Sequence, residues 1–182
     1  MALLHDATLV PSKRELIAAW LPGQPWAEGL PELRPFGSYR IDDPDGEVGV
    51  EGILLRSADG STVVHVPLTY RAAPLEGAEA HLVGTTEHSV LGTRWVYDAT
   101  GDPLFAAVVA DTIATAATGA EEYFEQDGEK VTREPTVQVA GSSGGPGEVV
   151  VVRVVGEDPE CEAVLAGSWD GGSGILAALR TA

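Results

Sequence analysis

Histidine and acidic residues cluster in the middle of the sequence, where they could bind a metal ion. Glu79, His81, Glu87 and His88 lie close together, and imidazole and carboxylate groups are common ligands of Zn²⁺ and other divalent metals. His81, Glu87 and His88 are therefore the candidate metal ligands, and a bound metal would make them a hydrolytic site. Their spacing matches no known metal motif, so we favour histidines bonded to backbone carbonyls and expect no metal and no cofactor.

The sequence lacks the residue patterns that phosphoryl transfer needs. A Walker loop places Gly-Lys-Ser or Gly-Lys-Thr after its glycines, whereas the only lysines here are Lys13 and Lys130. The glycine-rich segment 141–147 contains no basic residue and precedes a predicted strand rather than a helix, which favours a mobile hairpin loop. Cys161 lies among acidic residues, which disfavour a thiolate nucleophile. We therefore expect no catalytic residues.

Aromatic side chains near arginines form a third set that could take part in binding. The set consists of Trp26, Tyr70, Arg71, Arg94 and Trp95. Aromatic rings with polar edges suit both sugar stacking and protein interfaces, so these residues are the candidate surface for a ligand or a partner. The alternative, which we favour, is core packing with the polar atoms at the rim.

Two helices are predicted to support these residues. Ser12-Lys13-Arg14-Glu15 matches the capping box, in which the serine hydroxyl and the glutamate carboxylate accept from each other's backbone amides. Pro22-Gly23 ends this short helix. A second, longer helix begins at Asp102-Pro103, because aspartate is a favoured N-cap and proline suits the first helical position. Gly119 is predicted to end it.

Short strands joined by Asp-Gly turns fill the region between the helices. The turn signals at Asp42–Gly46 and Ala58–Gly60, with short arms on both sides, predict an antiparallel meander. The predicted strands are 36–41, 48–55, 62–66 continued by 68–71, 80–86 and 89–97. The predicted fold class is α+β, with one short N-terminal helix and one longer helix packed on an antiparallel sheet.

The composition changes after the second helix, which suggests two parts. Residues 1–119 would form an α+β domain, and residues 120–182 a β-rich extension that is either a second small sheet or a continuation of the first. In this extension, Asp127-Gly128 is a hairpin turn signal. The β-branched run Val149–Val155 is predicted to be one buried strand.

The charge balance limits the classes of partner. Eleven lysines and arginines against 28 aspartates and glutamates give a formal net charge of −17. Such a surface repels nucleic-acid phosphates and anionic lipid heads, so we expect no nucleic acid and no membrane as partners. A single cysteine allows no disulfide within the chain, and the first residues lack the pattern of a signal peptide. We therefore expect a cytoplasmic protein.

Several segments resemble the N-terminal cap domain of actinobacterial maltokinases. They are Trp-Leu-Pro-Gly-Gln-Pro-Trp at 20–26, Val-Pro-Leu-Thr-Tyr-Arg at 66–71, and residues 91–99 followed by Asp102-Pro103-Leu104. Together they extend the resemblance over roughly residues 10–118. The resemblance implies an α+β unit with a curved antiparallel sheet and a packed helix, comparable in topology to cystatins.

In those enzymes the cap precedes a kinase body that phosphorylates maltose with ATP and feeds an α-glucan pathway. The motifs of that body do not occur in these 182 residues, so no catalytic residue can be transferred. The resemblance implies a non-catalytic binding or regulatory module linked to α-glucan, maltose or trehalose metabolism. Its partner would be a protein such as a sugar kinase or a glucan-metabolism enzyme. Two alternatives remain open, a carbohydrate-binding module for maltose or α-glucan and an unrecognised metal-dependent enzyme.

Overall fold

Two α-helices, four short 3-10 helices and thirteen strands make up the regular structure of the described residues. The computed structural model describes residues 2–3, 7–126, 129–157, 159–161 and 163–180. The hairpin turn predicted at Asp127-Gly128 lies outside these residues. The helices are α1 (Lys13–Trp20) and α2 (Pro103–Ala114). The strands are β1 (Ala2–Leu3), β2 (Leu9–Val10), β3 (Leu33–Ile41), β4 (Gly49–Ser57), β5 (Val63–Arg71), β6 (Leu82–His88), β7 (Gly92–Asp98), β8 (Glu122–Gln126), β9 (Glu129–Arg133), β10 (Val137–Gly141), β11 (Glu148–Val151), β12 (Val164–Trp169) and β13 (Gly172–Arg180).

The largest sheet has six strands in the order β2-β6-β7-β5-β4-β3, and every neighbouring pair is antiparallel. The turn between β4 and β5 uses Gly60 at φ 73°, a conformation that costs glycine little. The Asp59 carboxylate stabilises this turn by accepting hydrogen bonds from Ser57 and Ser61. The sheet is curled, and with its two helices it confirms the predicted α+β class and antiparallel meander.

Helix α1 covers one face of this sheet, which we call the α1 face. The predicted capping box is present, because the Glu15 amide donates to the Ser12 hydroxyl and the Ser12 amide donates to the Glu15 carboxylate. Leu16 and Ile17 are buried against apolar side chains of β4, β5 and β7. Each such side chain contributes about 1.5–3 kcal/mol by leaving water, so this contact holds α1 in place.

Helix α2 and a second sheet cover the opposite face, which we call the α2 face. The second sheet has four antiparallel strands in the order β10-β12-β13-β11. Phe105, Val109 and Ile113 of α2 share one buried cluster with side chains of β3 and β4 and with side chains of the second sheet. Residues before and after position 119 thus contribute to the same core. The division into 1–119 and 120–182 stays a prediction.

The segment from Val149 to Val155 joins the two sheets instead of forming one strand as predicted. Strand β11 ends at Val151, and the amide of Val152 donates to Leu176 of the second sheet. The next residues leave that sheet and pair with β5, where His65 donates to the Arg153 carbonyl. β-branched composition predicts extended backbone, but it carries no information about which sheet supplies the hydrogen-bond partners.

Helix α2 ends at Ala114, five residues before the predicted stop at Gly119. Ala116 adopts a left-handed conformation with φ 54°. Its amide donates to Ile113 and that of Ala117 donates to Thr112, which is the Schellman pattern. Gly119 instead lies where a Cβ would press on Val139 and on the Arg40 carbonyl. Position 119 therefore requires glycine because of close packing against its neighbours, and not because the helix ends there.

Strands β1, β8 and β9 form a small third sheet, in which β1 is parallel to β8. Among the described residues, no helix is both long and apolar enough to cross a membrane.

Candidate functional site

Polar side chains from three neighbouring strands lie together at one end of the α1 face. They share this face because successive side chains of a strand point to opposite sides of the sheet. Arg40 of β3 pairs directly with Glu51 of β4. Tyr70 of β5 lies diagonally from Glu51, since Gly49 is its direct partner. Lys13, the first residue of α1, reaches this group from above the sheet. Four residues far apart in sequence therefore meet at one place.

The carboxylate of Glu51 organises this group. It accepts a hydrogen bond of 2.6 Å from the Lys13 ammonium and one of 2.8 Å from the Tyr70 hydroxyl. The Arg40 guanidinium lies 3.9 Å away. Burial acts to raise the pKa of Glu51, but the charges of Lys13 and Arg40 and the two hydrogen bonds outweigh it and hold this pKa below its ordinary value. Glu51 is therefore an ionised carboxylate inside the fold.

Tyr70 serves as a donor to this carboxylate. Burial, together with the charge of Glu51, raises the pKa of Tyr70 well above its ordinary value, so the phenol keeps its proton. The Lys13 ammonium lies 5.2 Å from the centre of the Tyr70 ring, a cation–π distance. These contacts fix the ring as part of the wall of a groove.

That groove, here called the polar groove, has a volume of about 830 Å³. Its walls come from the start of α1, from β3 to β5, from the loop 42–48, from the β6–β7 hairpin, and from one residue each of β2 and β9. The residues that line it include Lys13, Arg40, Asp43, Tyr70, Leu91, Arg94 and Arg133. A smaller depression of about 450 Å³ lies beside it and shares Lys13, Arg40 and Arg133.

Of the five residues predicted to form a binding surface, the structure brings two into this groove. Tyr70 and Arg94 both line it. Arg71 and Trp95 pair with each other across β5 and β7. Because successive side chains of a strand alternate, they point to the α2 face. Trp26 packs at another place on the α1 side.

Arg71 has a structural partner at the start of α2. Its guanidinium makes two hydrogen bonds of 2.7 Å with the Asp102 carboxylate, which also caps the helix by accepting from the Leu104 amide. Burial acts to raise the pKa of Asp102, but the hydrogen bond from Arg71 outweighs it and lowers this pKa. Arg71 therefore ties strand β5 to helix α2.

Trp26 also has a role in packing. Its ring lies 6.0 Å from that of Trp20, and the Arg153 guanidinium lies 4.6 Å from the ring centre. The same guanidinium binds both carboxylate oxygens of Asp98, at 2.7 and 2.6 Å. This contact fastens the connector after α1 to the segment that joins the two sheets.

The three candidate metal ligands do not meet. His81 and His88 lie at opposite ends of β6, about 20 Å apart at the rise of an extended strand. The ring of His81 fills the space above Gly101. Glu87 accepts from the Thr93 hydroxyl, and His88 accepts from the amides of the turn that follows β6. The described residues contain no group of three side chains placed to hold a metal ion.

Sequence reasoning missed the groove residues Lys13, Arg40 and Arg133, and it missed Glu51, which lines the smaller depression. Glu51 had a recognisable signal, because it is the single charged residue in the apolar run Val48–Leu55, and a buried charge requires partners. The partners of Glu51 could not be identified from the sequence, since they come from α1, β3 and β5. Their proximity to Glu51 follows from the register between strands, which the sequence does not display.

The comparisons with known proteins give one result. Residues 20–102 of the 182-residue chain match the family model of the maltokinase N-terminal cap domain. No curated protein matches the chain. The matched segment runs from the C-terminal end of α1 to the N-cap of α2. It includes the groove residues Arg40, Tyr70 and Arg94, and Glu51, which bonds Tyr70. The resemblance is thus confirmed, and residues 20–102 form a segment of the maltokinase N-terminal cap type within an α+β chain.

Proposed function

We propose that this chain is a non-catalytic binding or regulatory module of the maltokinase-cap type. Its partner would be a protein of α-glucan, maltose or trehalose metabolism, such as a sugar kinase or a glucan-metabolism enzyme. The match to a domain of maltokinases supports the association. The observation that carries the proposal is an exposed apolar corner of the six-stranded sheet.

Three large apolar side chains are exposed at this corner. Val90 and Leu91, in the β6–β7 turn, are 56% and 44% exposed, and Val10 of the adjoining strand β2 is 65% exposed. Hydrogen bonds between Thr8 and Ser89 hold the two segments side by side. A cluster of exposed apolar side chains with polar surroundings is typical of a protein interaction site.

A purified sugar kinase or glucan-metabolism enzyme from the same organism would test the proposal. Binding is measured by sedimentation velocity or by interferometry on an immobilised chain. We expect complex formation, with at least tenfold weaker binding for Val90→Asp and Leu91→Asp. Leu82→Asp is the matched control, because Leu82 is 39% exposed at the opposite end of β6. Absence of a complex with every such enzyme, or an equal loss in the Leu82 variant, contradicts the proposal.

A carbohydrate-binding role is the second candidate, and the polar groove is the observation that favours it. The groove volume of about 830 Å³ lies within the range of small-molecule sites, and the groove combines the ring of Tyr70 with planar polar groups such as Arg94. Calorimetric titration with maltose, maltodextrin and glycogen up to ~10 mM tests it, because weak sugar sites have millimolar affinity. Calorimetry is preferable to tryptophan fluorescence, since no tryptophan is among the described residues that line this groove. A titration without heat excludes this role.

A further inference from the structure

Three arginines that line the polar groove have guanidinium groups without a close carboxylate partner. Arg40, Arg94 and Arg133 make no guanidinium hydrogen bond with any described residue, and the nearest carboxylates to Arg40 and Arg133 lie at 3.9 Å. Four other arginines have a carboxylate oxygen at 3.1 Å or less, in the pairs Arg34–Glu32, Arg71–Asp102, Arg153–Asp98 and Arg180–Glu148. The groove thus concentrates guanidinium groups whose donors are available.

Arg40 is the most informative of the three. Only 20% of its side chain is exposed, so its charge is largely removed from bulk water. A guanidinium carries five N–H donors, and those of Arg40 form no hydrogen bond with a described residue although its side chain is largely enclosed. Arg40 lines both the groove and the smaller depression beside it, so a ligand in either could reach these donors.

Two of the carboxylates near these arginines, those of Asp43 and Glu51, are engaged elsewhere. Both oxygens of Asp43 accept backbone amides of its own loop, from Asp45, Glu47 and Val48. Glu51 accepts from Lys13 and Tyr70. These two acids therefore stabilise the walls of the groove. A third, Glu122, lies 3.9 Å from Arg133, beyond hydrogen-bond distance, and Asp42 and Glu47 also line the groove.

Guanidinium groups recognise oxyanions through paired, charge-assisted hydrogen bonds. Three of them around one groove suit a phosphate monoester, which carries close to two negative charges at neutral pH, better than a single carboxylate. Repulsion by the net charge of −17 acts mainly on long polyanions, because salt screens charges beyond about 8–10 Å. A small dianion that enters the groove contacts the cations directly.

We infer that the polar groove binds the phosphate group of a small phosphorylated molecule. Arg40, Arg94 and Arg133 bind the phosphate oxygens. The organic part lies along Tyr70 and towards Leu91. This site goes beyond the proposed protein-binding role, which depends on the exposed corner at Val90.

Isothermal titration calorimetry with phenyl phosphate and with inorganic phosphate tests this site at an ionic strength of about 0.15 M, where the net charge is screened. We expect saturable binding with a millimolar or lower Kd, and at least tenfold weaker binding for Arg94→Gln and for Arg40→Gln. Arg180→Gln is the matched control, because it removes the same charge from an exposed surface pair and should bind as the parent does. Circular dichroism and thermal unfolding establish that each variant is folded. Arg94 forms no ion pair with a described residue, so we expect Arg94→Gln to stay folded. It therefore tests the site even if Arg40→Gln unfolds.

Three results would overturn the inference. They are no heat up to ~10 mM of either phosphate compound, an equal loss of binding in Arg180→Gln, and benzoate binding as tightly as phenyl phosphate. The last result would indicate a site for any aromatic anion. Failure here leaves binding of a protein at the Val90 corner unaffected, because that experiment uses different variants and a different readout.

Discussion

Arg40 and Glu51 lie directly opposite each other in the ladder between β3 and β4, yet the closest approach of their charged groups is 3.9 Å. The carboxylate instead makes its short contact, 2.6 Å, with Lys13 of α1. One buried anion therefore compensates two cations and hydrogen-bonds only one of them. This arrangement fixes the helix to the sheet and leaves the guanidinium facing the groove.

Replacing Glu51 with glutamine should destabilise the fold by about 3 kcal/mol. The substitution leaves the charges of Lys13 and Arg40 largely buried without an anion, and breaking one side of a buried ion pair costs about 3–5 kcal/mol. The free energy of unfolding is measured by urea denaturation at pH 7. Glu148→Gln is the control, because its pair with Arg180 is 71% and 62% exposed, and exposed pairs contribute about 0–1 kcal/mol. Equal effects of the two substitutions would contradict this account.

Stability should fall with decreasing pH because of His65. This side chain is fully buried, and its Nδ1 donates to the Leu176 carbonyl at 3.1 Å while its Nε2 accepts from the Tyr39 hydroxyl at 2.9 Å. Burial, with the charge of Arg153, lowers the pKa of His65 from 6.5 to about 3. Between these two values the unfolded chain binds a proton that the folded chain excludes. The free energy of unfolding therefore decreases by roughly 1.4 kcal/mol per pH unit as pH falls through this window.

The His65→Gln variant separates this effect from the titration of carboxylates. Glutamine can both donate and accept hydrogen bonds but does not titrate. We expect a flatter dependence of unfolding free energy on pH for the variant between pH 6.5 and pH 5, where few carboxylates change charge. Urea titrations of both proteins at half-unit intervals measure it. Parallel curves for variant and parent would show that His65 is not the responsible group.

Alanine at Gly52 should cost about 3 kcal/mol. Its Cβ would overlap the ring carbons of Tyr39, and this ring is 1% exposed and bonded to His65. Overpacking of this kind costs about 1–3 kcal/mol when the neighbour has no room to move. Gly23→Ala is the matched control, since nothing lies within 4 Å of its added Cβ. The midpoints of thermal unfolding compare the two, and a Gly52 variant as stable as the Gly23 variant would refute the close contact.

Local signals predicted the fold better than the site. The capping box at Ser12 and Glu15 requires only residues within one turn, and it was predicted correctly. The Asp-Gly turn at Asp59-Gly60 likewise fixed the hairpin between β4 and β5. Such features depend on neighbouring residues alone, so a sequence carries them directly.

The groove depends on pairing between distant strands, which a sequence does not display. Tyr70 and Arg94 are candidate binding residues from the sequence because aromatic rings near arginines suit sugar stacking and protein interfaces. Arg71 and Trp95, one residue further along, fulfil the same criteria but point to the opposite face. Only the register of β5 against β7 distinguishes the two pairs, and a shift of one residue reverses every side chain.

The edge of β5 that faces β7 is completed by two separate parts of the chain. Strand β7 pairs with Leu68–Arg71, and the segment after β11 pairs with Val63–His65. A shortened protein restricted to the segment that matches the cap family would lack the second of these partners. Its central strand would then present open amide and carbonyl groups, which invite other chains to add to the sheet. By pairing with β5, residues 153–155 cover this part of its edge and so oppose self-association of the protein.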